Sequence, residues 1–290
     1  MMKILVAYDG SECADAALED LKRAGLGSEA DVLVMSLADV FVPPENDREA
    51  EATSAMYMPD GIKRAHERAQ RKLDDAEALA KWASQQIKSR FPTWHVRYEA
   101  QADSPAWALI RTADQWKPDL IVMGAQGHAV FGGRFILGSI SQRVLYEARC
   151  SVRIGRHSHK TRSEAVRILI AFDNSPDSQA AIDSVCSRAW SKGSEVGLIA
   201  VVDEENWDQV RGILEPYAEK LRAAGLHAEM LITRGNPTDQ ILKEAHTWGA
   251  DCIFLGAKGT RGIDRLLLGS VSAAVSARAN CSVEVVRPKK

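Results

Sequence analysis

Residues 251–287 read DCIFLGAKGTRGIDRLLLGSVSAAVSARANCSVEVVR, and this stretch decides the fold. It opens with an apolar run that ends at Gly256, as expected for a strand buried on both faces. Gly259 and the pair Gly269-Ser270 follow, and apolar residues then recur at helical spacing. Glycine lets a backbone approach a ligand, and a helix N-terminus has free N–H groups, so the junction predicts an anion site with phosphate as the first candidate.

The same arrangement occurs earlier, in residues 119–156, which read DLIVMGAQGHAVFGGRFILGSISQRVLYEARCSVRIGR. Gly124, Gly127 and Gly138-Ser139 take the corresponding positions, with ten rather than nine residues between the second and third glycines. We place the extra residue in a loop, because it would put a helix out of phase. A purely structural interpretation stays open for both copies: the glycines end a strand, and the Gly-Ser pair caps a helix.

The pattern Gly-x2-Gly-x9-Gly-Ser between a hydrophobic strand and a helix, closed by Cys-Ser-Val-x-Val-Val-Arg, resembles the nucleotide-binding signature of the universal stress protein family. The resemblance implies a Rossmann-like, doubly wound, five-stranded parallel sheet of order 3-2-1-4-5. It also implies an adenine nucleotide, ATP or AMP with or without Mg²⁺, in the crevice between strands 1 and 4, where strand order reverses.

An internal repeat organises the whole chain. Residues 3–11 (KILVAYDGS) match residues 167–175 (RILIAFDNS) at an offset of 164, and this offset falls to 132 at Pro105 and Pro237. The first copy therefore carries about 32 extra residues between its second and third strands, since 164 and 132 differ by that number. We place this insertion at about 40–72.

Each copy alternates strand and helix patterns, which indicates an α/β fold with helices on both faces of a parallel sheet. We predict two tandem domains, residues 1–156 and 166–290, each with five strands and four helices. The predicted helices include one at 61–90, which continues the insertion, and one at 176–190.

Composition narrows the class of protein. The chain has 290 residues, 46% of them apolar and 26% charged, as in ordinary globular proteins. A net charge of −2 argues against a nucleic acid or an anionic membrane as partner. No spanning segment or secretory segment is recognisable, so we expect a cytoplasmic protein. The five cysteines lack C-x2-C spacing, so neither a disulfide framework nor a metal site is indicated.

The resemblance implies a set of cofactor-binding residues at the strand ends and on the glycine loops. In the first copy they are Ala7, Tyr8, Asp9, Leu37, Met123, Gly124, Gln126, Gly127, Gly138, Ser139 and Ile140. In the second copy they are Ala171, Phe172, Asp173, Val201, Leu255, Gly256, Lys258, Gly259, Gly269, Ser270 and Val271.

Roles differ within this set. Asp9 and Asp173 are expected to accept hydrogen bonds from adenine or ribose, or else simply to cap the next helix with a nearby serine. The resemblance implies that Leu37 and Val201 offer backbone groups to the adenine edge, although both also suit a strand core. Lys258 is suited to pair with a phosphate or to remain solvated, whereas Gln126 offers only hydrogen bonds.

Asp103, where the second copy has Gly235, would place a negative charge near the phosphates if it points inward. We therefore rank the second site above the first. The last strands of the two copies are expected to pair with each other as an intramolecular pseudo-dimer, with further homodimerisation left open.

Three functions remain open. The leading hypothesis is a stress-response regulatory protein that binds an adenine nucleotide and acts on an unknown protein partner. The second is a slow ATPase or an autophosphorylating enzyme that uses Ser139 or Ser270. We favour the non-enzymatic interpretation, because neither a carboxylate pair for Mg²⁺ nor a general base is evident. The third is a dimerisation scaffold that binds no nucleotide.

Overall fold

The computed structural model describes residues 1–40, 60–127, 137–157, 165–202, 207–259 and 268–288, with the side chains of residues 60–62 left out. Residues 41–59 of the predicted insertion lie outside these ranges, as do residues 128–136 and 260–267 of the two glycine loops. The first half contains β1 Met2–Ala7, α1 Glu12–Asp20, β2 Ala30–Ala38, α2 Asp60–Arg90, β3 His95–Ala102, α3 Pro105–Trp116, β4 Leu120–Gly124, α4 Ser139–Glu147 and β5 Ser151–Gly155.

The second half repeats this order, with a 17-residue helix in the place of the 31-residue α2. Its elements are β6 Arg167–Ala171, α5 Pro176–Cys186, β7 Glu195–Val202, α6 Trp207–Ala223, β8 His227–Arg234, α7 Pro237–Trp248, β9 Cys252–Gly256, α8 Ser270–Arg278 and β10 Ser282–Val286. A short 3₁₀ helix, Leu21–Arg23, follows α1.

The strands of both halves form one sheet. In the described part of the chain its order is β3-β2-β1-β4-β5-β10-β9-β6-β7-β8. Pairing within each half is parallel, and each half has the order 3-2-1-4-5. Among the strand pairs of the described residues, only the central one, β5 with β10, is antiparallel. The predicted fold class, two tandem doubly wound domains, is confirmed.

The apolar core lies on both faces of this sheet. One face carries a single cluster that spans both halves and includes Leu5, Val152, Ile253 and Val283. The other face carries two clusters, one in each half. Alternate residues of a strand point to opposite faces, so the two faces of the central strands are built differently.

The junction between the halves is reinforced by two equivalent arginines that follow the central strands. Arg156 donates through Nη2 to Ser276 O at 2.5 Å, near the end of α8. Arg287 donates through Nη2 to Leu145 O at 2.6 Å, near the end of α4. Each arginine therefore donates to a carbonyl near the C-terminal end of the other half's last helix. Carbonyls at a helix C-terminus lack donors within the helix, so the arginines supply the missing hydrogen bonds.

The predicted helix at 176–190 is too long, because α5 ends at Cys186. The next residues contact the first half instead: Ala189 N donates to Gly25 O at 2.9 Å. Gly25 has φ +63°, and a Cβ atom there would lie 2.8 Å from the ring of Trp190. A contact between halves therefore replaces the last turn that local sequence favours.

Candidate functional site

The candidate site of each half lies where β1 and β4, or β6 and β9, end side by side. The aspartate that follows the first strand lies against the second glycine of the loop. A Cβ atom on Gly127 would lie 2.7 Å from Asp9 Oδ2, and one on Gly259 would lie 2.5 Å from Asp173 Oδ2. Both carboxylates therefore border the glycine loops, and both positions exclude a larger side chain.

The same aspartates also order the turn into the next helix. Asp9 Oδ1 accepts from the Ser11 N–H at 3.0 Å, and Asp173 Oδ1 accepts from the Ser175 N–H at 3.1 Å. The serines themselves cap α1 and α5. The capping interpretation is thus correct for the serines, and the second oxygen of each aspartate lies against the second glycine of the loop.

Serines clamp both glycine loops from two sides. Ser11 Oγ donates to Gln126 O at 3.3 Å, and Ser175 Oγ donates to Lys258 O at 3.1 Å. From the other side, Ser141 Oγ and Ser272 Oγ donate to the carbonyls of the first glycines, at 2.9 and 2.7 Å. Sequence reasoning missed Ser141 and Ser272, although the repeated Gly-Ser-x-Ser motif carried the signal.

The helices that follow the loops begin without a side-chain cap. Gly138 precedes α4 and Gly269 precedes α8, and neither helix has a side-chain hydrogen bond at its N-cap. The N-cap backbones are held in place, since Gly138 N and Gly269 N donate to Ala125 O and Ala257 O at 2.9 and 2.8 Å. Two positively polarised helix ends therefore lie beside the loops, a favourable position for an anion.

Helix packing requires glycine at the first glycine position of each loop, which the sequence did not reveal. A Cβ atom on Gly124 would lie 2.6 Å from the backbone of Cys13, and one on Gly256 would lie 2.6 Å from the backbone of Asp177. These two glycines let α1 and α5 pack directly on the strands. Close packing of helix on strand is therefore one requirement for these two glycines, and their predicted approach to a ligand stays a prediction.

The predicted site residues divide between the crevice and the core. Half-buried or exposed at the strand ends and helix starts are Ala7, Asp9, Leu37, Gln126, Gly127, Gly138, Ser139, Ile140, Ala171, Asp173, Val201, Lys258, Gly259, Gly269, Ser270 and Val271. Buried are Tyr8, Met123, Gly124, Phe172, Leu255 and Gly256.

Tyr8 and Phe172 direct their side chains into the core. Tyr8 Oη donates to Asp15 Oδ1 at 2.7 Å, and its ring stacks on Trp82 at 5.5 Å between centroids. The Phe172 ring packs against Tyr217 at 4.7 Å. Their side chains therefore belong to the apolar clusters that α1 and α2 cover in the first half and α5 and α6 cover in the second.

The residue that precedes the second glycine of each loop, Gln126 or Lys258, distinguishes the two sites. Lys258 donates through its backbone N–H to Asp177 Oδ2 at 3.1 Å. Its Nζ atom is buried and has no hydrogen-bond partner within the part of the chain that the structure describes. Burial raises the pKa of Asp177, and the Lys258 N–H and charge oppose that rise. The first half has Gln126 and Cys13 at these two positions, so it lacks both charges.

Asp103 does not stand unpaired at the exit of β3. It binds Arg111 of α3 at 2.6 Å, and that hydrogen bond lowers the pKa of its carboxyl. Its counterpart Gly235 has φ +128°, a conformation that L side chains rarely adopt. The segments that follow β3 and β8 therefore differ in backbone conformation as well as in charge.

Within the described ranges, no three His, Cys, Asp or Glu side chains come together as a metal site. In the same part of the chain, no helix combines the length and apolar character needed to cross a membrane.

Fold and site together define a tandem, doubly wound α/β protein with a clamped glycine loop beside an uncapped helix in each half. The chain belongs to the universal stress protein family, whose model, described as "Universal stress protein family", matches residues 1–156 and again residues 165–287. The family predicted from the repeated signature is thus confirmed.

Individual relatives agree with this. A universal stress protein of Mycolicibacterium smegmatis is 25% identical over 304 residues, covering 99% of this chain and 97% of the relative. Universal stress protein YxiE of Bacillus subtilis is 30% identical over 145 residues, covering 42% of this chain and 98% of the relative. The crystal structure of a universal stress protein from Archaeoglobus fulgidus matches in fold, with a TM-score of 0.70, 24% identity and 98% of both chains covered.

Proposed function

We propose that this protein is a regulatory protein of the stress response that binds an adenine nucleotide, with its stronger site in the second half. Family membership makes the adenine nucleotide the first candidate. One observation carries the assignment to the second half: the buried Lys258 Nζ lacks a hydrogen-bond partner in the described residues, and Lys258 lies in the glycine loop that leads to an uncapped helix. A phosphate would supply the acceptor that this ammonium lacks.

A buried ammonium without an acceptor costs stability, because its lost hydration is not replaced. Binding of a polyphosphate would remove that cost. The proposal therefore makes two linked expectations for Lys258→Met: the protein without nucleotide gains stability by about 1 kcal/mol, and ATP affinity falls about tenfold. AMP has fewer phosphate charges, so its affinity should fall less.

Titration calorimetry with ATP and AMP, combined with urea denaturation, tests both expectations. Gln126→Met is the matched control, because it changes the equivalent loop position of the first half without removing a charge. A lysine that is merely solvated would show neither effect. If the wild-type protein binds neither ATP nor AMP, the proposal is wrong and the scaffold hypothesis replaces it.

The number of sites is tested by native mass spectrometry with Gly259→Ala. The added Cβ would lie 2.5 Å from Asp173 Oδ2 and so would disturb the loop of the second half. Gly212→Ala in α6 is the control, since a Cβ there meets nothing within 4 Å. We expect Gly259→Ala to lose the tighter nucleotide and Gly212→Ala to keep it.

A further inference from the structure

A network of four charges, with its two central members fully buried, lies at the centre of the junction between the halves. Arg153 of β5 and Glu284 of β10 face each other in the antiparallel register, with Arg153 Nη1 3.2 Å from Glu284 Oε2. Arg153 also donates to both oxygens of Asp20, at 2.6 and 3.2 Å. Glu284 is bound in addition by Arg188. Arg153 and Glu284 have no exposed surface, and the four formal charges cancel.

Arg153 and Glu284 are the same position of the repeat. The offset of 131 that relates Gly138 to Gly269 also relates these two residues. Their neighbours pair crosswise, Val152 with Val285 and Ile154 with Val283. The pseudo-twofold axis therefore passes between Arg153 and Glu284, and two copies of the same half joined through this edge would place two like charges opposite each other.

Each half also supplies its own counterion. Asp20 lies in the same half as Arg153, and Arg188 lies in the same half as Glu284. Each central charge thus has one partner before the halves meet. Between the two paired central strands, the contact that changes sign with the identity of the partner half is the one between residues 153 and 284, which is attractive between unlike halves and repulsive between like ones.

We propose that Arg153 and Glu284 make this junction selective, so that each central strand accepts the last strand of the unlike half and rejects that of a like half. The reciprocal arginines Arg156 and Arg287 cannot make this distinction, because both halves carry them in equivalent contacts. The edge strands β5 and β10, which any copy of either half could otherwise pair with, are thereby restricted to the unlike half. The chain closes on itself, and any exchange between two chains joins unlike halves.

Charge reversal in full-length chains tests the proposal. Glu284→Arg gives a chain with arginine at both positions, and Arg153→Glu gives one with glutamate at both, so neither has an attractive central pair. Between the two variants, the first half of the Glu284→Arg chain and the second half of the Arg153→Glu chain restore the native network of all four residues. Co-expression with a tag on one variant should therefore yield a 1:1 complex, quantified by native mass spectrometry.

The controls are a tagged Glu284→Arg chain with an untagged copy of itself, and tagged wild type with untagged wild type. We expect the mixed pair to be retained at least tenfold above both. A matched reversal at an exposed pair of α4, Arg143→Glu with Glu147→Arg, should give no such gain. Equal retention of like and unlike variants would overturn the proposal.

A second measurement covers the case in which the reversed chains fail to fold. Arg153→Met, Glu284→Gln and the double variant form a double-mutant cycle on the unfolding equilibrium. If the central contact is attractive as proposed, the double variant should retain at least tenfold more stability, as an equilibrium constant, than the product of the single effects predicts. Simple multiplication of the two effects would contradict the proposal.

Discussion

The two candidate sites share one scaffold and differ in the groups that a ligand would meet. In both, an aspartate borders the second glycine, serines clamp the loop and the following helix starts uncapped. They differ in Gln126 against Lys258, and in Cys13 against Asp177. The duplicated chain has thus kept the features that strand and helix packing require. It has varied charge, which packing does not determine.

The shared scaffold is tested most severely at the first glycines. Gly124→Ala and Gly256→Ala each force a Cβ to within 2.6 Å of a helix backbone, so each should destabilise the protein by about 3 kcal/mol. Urea denaturation measures the loss, with Gly212→Ala as the control. A large effect in one half only would show that the two scaffolds are not equivalent.

The equivalent arginines of the junction come next. Arg156→Ala and Arg287→Ala each leave carbonyls near a helix end without a charged donor, at a cost of about 2 kcal/mol. Because the contacts are reciprocal, the two losses in free energy of unfolding should agree closely. Arg143→Ala, which removes an exposed arginine of α4, should change it little. Unequal losses in the free energy of unfolding would show that the two arginine contacts are not equivalent.

Exchanging the residues that differ between the loops sharpens the comparison. The double variant Gln126→Lys, Lys258→Gln moves the lysine to the first half. Under the proposed function, the tighter ATP site should move with it, and ATP affinity at the second site should fall about tenfold. Calorimetry of the double variant and of each single variant decides this. An unchanged second site would show that Lys258 does not contact the ligand.

The smallest expected effect concerns Tyr8, whose counterpart is Phe172. Burial, with the hydrogen bond to Asp15 and the charges of Asp15 and Asp9, raises the pKa of Tyr8. Tyr8→Phe should cost about 1 kcal/mol at neutral pH, where the hydroxyl is protonated in both folded and unfolded protein.

The pH dependence has a definite sign. Above pH about 10 the unfolded tyrosine ionises before the folded one, so the wild-type protein loses stability as pH rises and Tyr8→Phe lacks this loss. The difference between the two proteins should therefore shrink in urea melts from pH 9 to 11. Tyr98→Phe, on a more exposed side chain of β3, is the control. A constant difference would contradict the assigned environment of Tyr8.

Much of the fold was predictable from the sequence. The repeat offset, the buried strands ending in glycine and the helix periodicity led to two five-stranded domains, because these patterns reflect local burial. The strand order 3-2-1-4-5 was what the family resemblance implied. The positions of both glycine loops followed from the same residues. Local patterns overextended α5, since the contacts of Ala189 and Trp190 with the first half compete with its last turn.

Three features depended on the tertiary structure. Gly124 and Gly256 serve helix packing, which only the position of α1 and α5 on the sheet reveals. The burial of Lys258 Nζ likewise depends on surrounding elements. The pairing of Arg153 with Glu284 joins residues 131 positions apart through the register of one antiparallel strand pair. Sequence periodicity reports which face of an element is buried, whereas register and packing decide which charges meet there.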